Sequence, residues 1–100
     1  MNVEQLLQNE IKDSERWIVI EKDESTYKRD LKKRVELINW ALQNMKNSDT
    51  NICSLIETRM IEIIDKMNKM DSIFESDPLD SELRILDWIL YQVCKDNKRN

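Results

Sequence analysis

The chain has 100 residues, with 16 basic and 20 acidic side chains, a net charge of −4, one proline and neither glycine nor histidine. This length is typical of a single domain, residues 1–100. Tight hairpin turns and phosphate-binding loops need glycine, while general-base catalysis and metal binding most often use histidine. We therefore expect an all-α, non-enzymatic protein with no cofactor, no metal and no small-molecule substrate.

The first 24 residues are predicted to be mainly helical. Helical spacing relates four apolar residues, Val3, Leu7, Ile11 and Ile18. The run 17–20 is rich in β-branched residues and could form a short strand instead. A single strand would leave its edges unpaired, and the sequence offers no second strand, so we favour helix.

The second helix is predicted over residues 26–47, with Ser25 or Thr26 as its N-cap. One apolar stripe runs along it at intervals of three or four residues. The stripe consists of Tyr27, Leu31, Val35, Ile38, Leu42 and Met45.

Two further helices follow. The third is predicted to begin after Asp49 or Thr50 and to end near residues 76–78. The fourth is predicted from Pro78 to about Lys95, because Asp77 as N-cap followed by proline at the first helical position is a common helix start. Four helices joined by short loops predict a four-helix bundle or two packed helical hairpins.

A six-residue stretch occurs twice in nearly the same form. Residues 37–42 read LINWAL, and residues 85–90, 48 positions later, read ILDWIL. Two amphipathic helices of similar composition explain the shared apolar stripe but not the repeated tryptophan. Two helical hairpins of the same design, residues 3–47 and 50–96, are the other explanation, and the sequence leaves both open.

The repeated stretch carries apolar residues on two sides of its helix. On a helical wheel, Trp40 and Trp88 both lie opposite the leucine and isoleucine stripe. Such a helix is either central in the fold or covered by another molecule, and we favour the latter because four helices have little capacity to bury each helix on all sides. The predicted partner-binding residues are Leu37, Trp40, Trp88 and Tyr91.

The second helix is basic within an acidic chain. Residues 26–47 carry six basic and two acidic side chains. The exposed basic face is predicted to contain Lys28, Arg29, Lys32 and Lys33. An ordinary solvated face is the first interpretation, and contacts to phosphates or to an acidic protein partner are the alternatives.

The two cysteines, Cys53 and Cys94, are far apart in sequence. The N-terminal residues lack the features of a signal peptide, and no apolar run is long enough to cross a membrane. We therefore expect an intracellular protein, cytoplasmic or nuclear, with reduced thiols, although one disulfide is possible.

These patterns predict a protein–protein interaction module: a small helical regulator, inhibitor or complex subunit that docks onto itself or onto a larger protein. We expect a homo-oligomer or a larger complex, without membrane association. The alternative is a nucleic-acid-binding regulator that uses the basic face of the second helix.

Overall fold

The computed structural model describes residues 2–21, 25–47, 49, 51–70 and 73–94. They form four α-helices: α1 (Val3–Ile20), α2 (Thr26–Met45), α3 (Ile52–Asn68) and α4 (Ile73–Cys94). Helices α1 and α2 pack as one hairpin and α3 and α4 as another, and α2 contacts α4 between them. The predicted all-α fold of two packed helical hairpins is confirmed, and residues 17–20 are helical.

Side-chain oxygens cap the first three helices. Asn2 Oδ1 accepts the Gln5 N–H at 2.7 Å, at the start of α1. Ser25 Oγ accepts the Lys28 N–H at 3.1 Å, which confirms one of the two predicted caps of α2. Each bond satisfies an N–H group that has no partner within its own helix.

The predicted starts of α3 and α4 are wrong. Asn51, rather than Asp49, caps α3, because its Oδ1 accepts the Ser54 N–H at 3.2 Å; Thr50 lies outside the described residues. Helix α4 begins at Ile73 and continues through Pro78. A proline at the sixth helical position removes one intrahelical N–H donor and crowds the carbonyl one turn earlier, yet α4 continues through it, so a proline need not mark the start of a helix.

Helices α2 and α4 form the centre of the molecule. Apolar residues of all four helices meet in one core, which consists of Leu7, Leu37, Ile38, Ala41, Leu42, Ile56, Ile63, Ile85, Leu86 and Ile89. Most of them lie on α2 and α4. Three of the five buried positions of α2, namely 37, 38 and 41, recur 48 residues later as the buried positions 85, 86 and 89 of α4.

This central position corrects one prediction. Leu37 was expected to face a partner, but its side chain is fully buried in the core. Because α2 packs against α1 on one side and α4 on the other, its buried arc is wider than a single stripe. Leu37 therefore presents no surface to a second molecule.

The cysteines are joined, and the expectation of reduced thiols is wrong. Cys53, at the start of α3, forms a disulfide with Cys94, at the end of α4. An antiparallel hairpin brings the start of its first helix beside the end of its second, so 41 residues of sequence separation become a direct contact. The disulfide thus closes the α3–α4 hairpin.

Among the residues whose burial the structure describes, one polar residue is buried: Ser14 of α1, which is 2% exposed. Within the described part of the chain, no hydrogen-bond partner reaches its hydroxyl. A buried hydroxyl without a partner is costly, and serine is also a weaker helix former than alanine.

We expect Ser14→Ala to raise the free energy of unfolding by about 1 kcal/mol. Urea unfolding followed by circular dichroism measures the change. The matched control is Ser54→Ala on the exposed side of α3, which alters helix propensity alone. A loss of stability in the Ser14 variant would show that the hydroxyl does have a partner.

Candidate functional site

Trp40 lies half-buried beside an ion pair of the other hairpin. The Arg59 guanidinium of α3 stands over its indole ring, 4.7 Å from the ring centre. Arg59 also donates to Glu82 of α4 through a 3.1 Å contact between Nη2 and Oε2. The tryptophan of the first hairpin therefore packs on a salt bridge that joins the two helices of the second.

Trp88 lies in the corresponding arrangement. The Arg34 guanidinium of α2 is 5.7 Å from the centre of its ring. Arg34 Nη1 also lies 3.2 Å from Glu10 Oε2 of α1. The tryptophan of the second hairpin therefore packs on the salt bridge of the first.

The two clusters use equivalent positions with the charges exchanged. Glu82 stands 48 residues after Arg34, the same offset that relates the two tryptophans, and Arg59 stands 49 residues after Glu10. In both clusters the arginine is the residue that covers the ring, since a guanidinium is attracted to an aromatic face. Trp40 and Trp88 thus have a structural role: each packs its own hairpin against the ion pair of the other hairpin.

A double-mutant cycle tests this structural role on the contact between Arg59 and Trp40. We expect Arg59→Met and Trp40→Leu to show a coupling free energy of about 1 kcal/mol, because the guanidinium lies 4.7 Å from the ring centre and is only 29% exposed. The control is the exposed Asp65–Lys69 pair on α3, for which we expect about 0.3 kcal/mol. Equal coupling free energies in the two pairs would contradict the structural role of Trp40.

The other predicted site residues are distributed over separate surfaces. Tyr91 of α4 is 62% exposed, as a partner-binding residue requires. On the basic face, Lys33 pairs with Glu36 at 3.3 Å, and Arg29 lies 3.5 Å from the neighbouring carboxylate of Asp30. Lys28 is partly buried and Lys32 exposed. Partner binding by any of these residues stays a prediction.

Three exposed apolar residues at the closed end of the first hairpin were not predicted as a site. Trp17 and Ile20 lie in the last turns of α1 and are 49% and 54% exposed, while Tyr27, in the first turn of α2, is 52% exposed. We call these three residues the aromatic face.

The Glu10–Arg34 contact determines the relative positions of Trp17 and Tyr27 in this face. Trp17 is seven residues after Glu10, and Tyr27 is seven residues before Arg34. Because the two helices are antiparallel, seven residues forward on α1 and seven residues back on α2 both lead toward the loop that joins them. Seven residues are almost two full turns, so the side chain lies on nearly the same side of its helix. Trp17 and Tyr27 are therefore level with each other, on one side of the hairpin.

A signal for this face is present in the sequence. Trp17 and Ile20 fall outside the stripe of Val3, Leu7, Ile11 and Ile18. The prediction for residues 17–20 concerned secondary structure alone, whereas the positions of Trp17 and Ile20 on the helical wheel predict exposure once α1 is taken as a helix.

A cavity of about 260 Å³ adjoins the aromatic face between α2 and α4. Two buried residues, Leu31 and Ile85, belong to its lining. The rest of the lining is polar or aromatic and consists of Tyr27, Asp30, Arg34, Ser81 and Arg84. An apolar floor with two guanidinium groups suits an aromatic side chain better than a purely polar ligand.

Among the described residues, no group of three or more cysteine, aspartate and glutamate side chains is placed to bind a metal ion. None of the four helices, over the same residues, combines the length and apolar character needed to cross a membrane.

Comparisons with known proteins give no relative from which a function could be transferred. No protein-family model matches the chain, and neither a curated protein nor a solved structure is significantly similar to it.

Proposed function

We propose that this protein is a non-enzymatic interaction module: a small helical regulator, inhibitor or complex subunit that docks onto a second copy of itself or onto a larger protein. The observation that carries the proposal is the aromatic face, where Trp17, Ile20 and Tyr27 are each about half exposed. Clustered apolar groups on a surface favour association, and Trp and Tyr are enriched among residues that dominate binding energy.

The exposed apolar residues outside this face carry less weight for the proposed function. Tyr91 on α4 and Ile61 on α3 are 62% and 66% exposed. Isolated apolar residues on a surface are common and need no explanation. They add to the proposal as further possible contacts of a larger partner, and they are secondary to the aromatic face.

Site-specific photo-cross-linking tests the proposal. A photoreactive phenylalanine derivative is placed at position 20, 27 or 91, and at exposed Asn39 as a matched control. In cells that produce the protein naturally, we expect discrete adducts at the apolar positions and none at the control. Absence of adducts at all three apolar positions would overturn the proposed function.

A nucleic-acid-binding regulator is the second candidate, supported by the excess of basic over acidic side chains, six to two, in residues 26–47. Part of that charge already faces carboxylates, as in Lys33–Glu36. Trp40, the tryptophan of the same helix, has one ring face covered by Arg59. Measuring binding to short duplex DNA over a series of salt concentrations tests this candidate. A nucleic-acid-binding protein should lose affinity steeply as salt increases, because its binding releases counterions.

The Cys53–Cys94 disulfide bears on where the protein works. Stable disulfides are typical of oxidising compartments and rare in the cytosol, so we propose an oxidising compartment in place of the intracellular one expected from the sequence. Alkylation of the protein at the moment of cell lysis, followed by mass measurement, tests this. Recovery of two alkylated thiols would restore the cytosolic assignment.

A further inference from the structure

We infer that the aromatic face docks onto a second copy of this chain, with Trp17 of each copy inserted into the α2–α4 cavity of the other. The inference rests on the proposed function and specifies its surface and its partner. Because each copy gives a tryptophan and accepts one, the contact is reciprocal and closes as a two-fold dimer.

The chain's own use of tryptophan identifies the ligand of this cavity. Trp40 and Trp88 each lie against an arginine of the opposite hairpin, at 4.7 Å and 5.7 Å. Trp17 is the third tryptophan, and among the described residues no guanidinium covers its ring. The cavity supplies one in Arg84.

Arg84 is available for such a contact. Its side chain is 81% exposed, and its Nε lies 3.1 Å from Asp80 Oδ2, one turn earlier on α4. An exposed pair at this spacing is weak and leaves the guanidinium face open. The guanidinium can therefore keep its carboxylate partner while a ring packs on its face, as Arg59 does between Glu82 and Trp40.

The size of the cavity agrees with a single side chain. Its volume of about 260 Å³ is below the roughly 300–1,000 Å³ of sites for small molecules. Leu31 and Ile85 give it an apolar floor, which suits an indole ring. Tyr27 belongs both to the cavity lining and to the aromatic face, so one tryptophan can contact both.

The charges around the face permit two acidic chains to approach. The whole chain carries −4, which opposes self-association. Near the face, however, Asp13 lies 3.5 Å from Arg16 on α1, and Arg84, which lines the cavity, lies 3.1 Å from Asp80 on α4. Both pairs are exposed, and their charges balance. A two-fold contact can place the carboxylates of one copy opposite the guanidinium groups of the other, which is the complementarity that a self-docking surface needs.

Sedimentation velocity over protein concentrations from about 1 μM to 1 mM tests the inference. We expect a concentration-dependent dimer of the disulfide-bonded protein. Trp17→Ala is expected to weaken dimerisation about thirtyfold, as for a binding hot spot, and Arg84→Glu to weaken it in the same direction. Val19→Ala, also on α1 and 82% exposed, is the matched control and should have no effect. Circular dichroism confirms that each variant is folded.

Mixing the two variants tests the reciprocal insertion. The Arg84→Glu copy still has Trp17, and the Trp17→Ala copy still has Arg84, so the mixed dimer contains one complete insertion. We expect the mixture to dimerise more tightly than either variant alone. A wild-type monomer at all concentrations would overturn the inference, and so would a dimer that both substitutions leave unchanged.

These outcomes are separable from failure of the proposed function. Cross-links from position 27 to a different protein, with a monomeric chain, would overturn the second copy as partner and leave the interaction module in place. Cross-linked products of twice the 12.1 kDa chain mass would support the inference. No cross-links to any protein would overturn both.

Discussion

Replacing both Cys53 and Cys94 by serine is expected to lower the free energy of unfolding by about 4 kcal/mol. The disulfide links residues 41 positions apart, and its loss frees a long loop of the unfolded chain. Since a domain of this size is stabilised by only about 5–15 kcal/mol, a loss of this size is a large part of the total.

Urea unfolding of the wild type and the variant, each with and without reductant, measures this effect. Reductant should destabilise the wild type by about the same 4 kcal/mol and leave the variant unchanged. Equal stability of oxidised wild type and variant would show that the disulfide does not hold the α3–α4 hairpin.

Leu37→Ala is expected to cost about 2–5 kcal/mol, because the side chain is fully buried and its removal leaves a cavity between α2 and its neighbours. The matched control is Ile61→Ala on α3, where the side chain is 66% exposed and the cost should stay below about 0.5 kcal/mol. The same urea measurement applies to both variants. If Leu37→Ala left the free energy of unfolding unchanged and weakened association, Leu37 would belong to a partner-binding surface after all.

The sequence predicts the number of helices and their pairing because apolar periodicity and loop length are local signals. It predicts the ends less well. Ser25 and Asn51 both cap helices, yet only Ser25 was predicted, since several oxygen-bearing residues stand in a row at positions 48–51. Pro78 was wrongly predicted to start α4, because α4 accommodates a proline in its interior despite the lost hydrogen bond and the crowded carbonyl.

The three-dimensional contacts of the tryptophans could not be predicted from the sequence. A helical wheel shows that Trp40 and Trp88 lie away from the main stripe, and a second chain is one way to cover them. The structure covers them with Arg59 and Arg34 from the opposite hairpins. Which arginine reaches which ring depends on how α2 crosses α4, and no local pattern specifies that crossing.

Pairing of the cysteines depends on the same long-range information. Spacing alone does not say that the start of α3 meets the end of α4. Once the antiparallel hairpin is known, residues 53 and 94 become neighbours, with their Cα atoms 6.1 Å apart. The expectation of free thiols came from a general rule about compartments, and local geometry overrules it.

The central claim is that this protein associates through Trp17 while Trp40 and Trp88 serve the fold. Wild-type protein labelled with fluorotryptophan tests it by fluorine NMR at low and high protein concentration. Each resonance is assigned with a single Trp→Phe variant, and its solvent accessibility is measured from the shift between light and heavy water. We predict that Trp17 becomes protected as the chain associates, while Trp40 and Trp88 keep the same accessibility throughout. Constant solvent accessibility of Trp17, with new protection of Trp40 or Trp88, would contradict the claim.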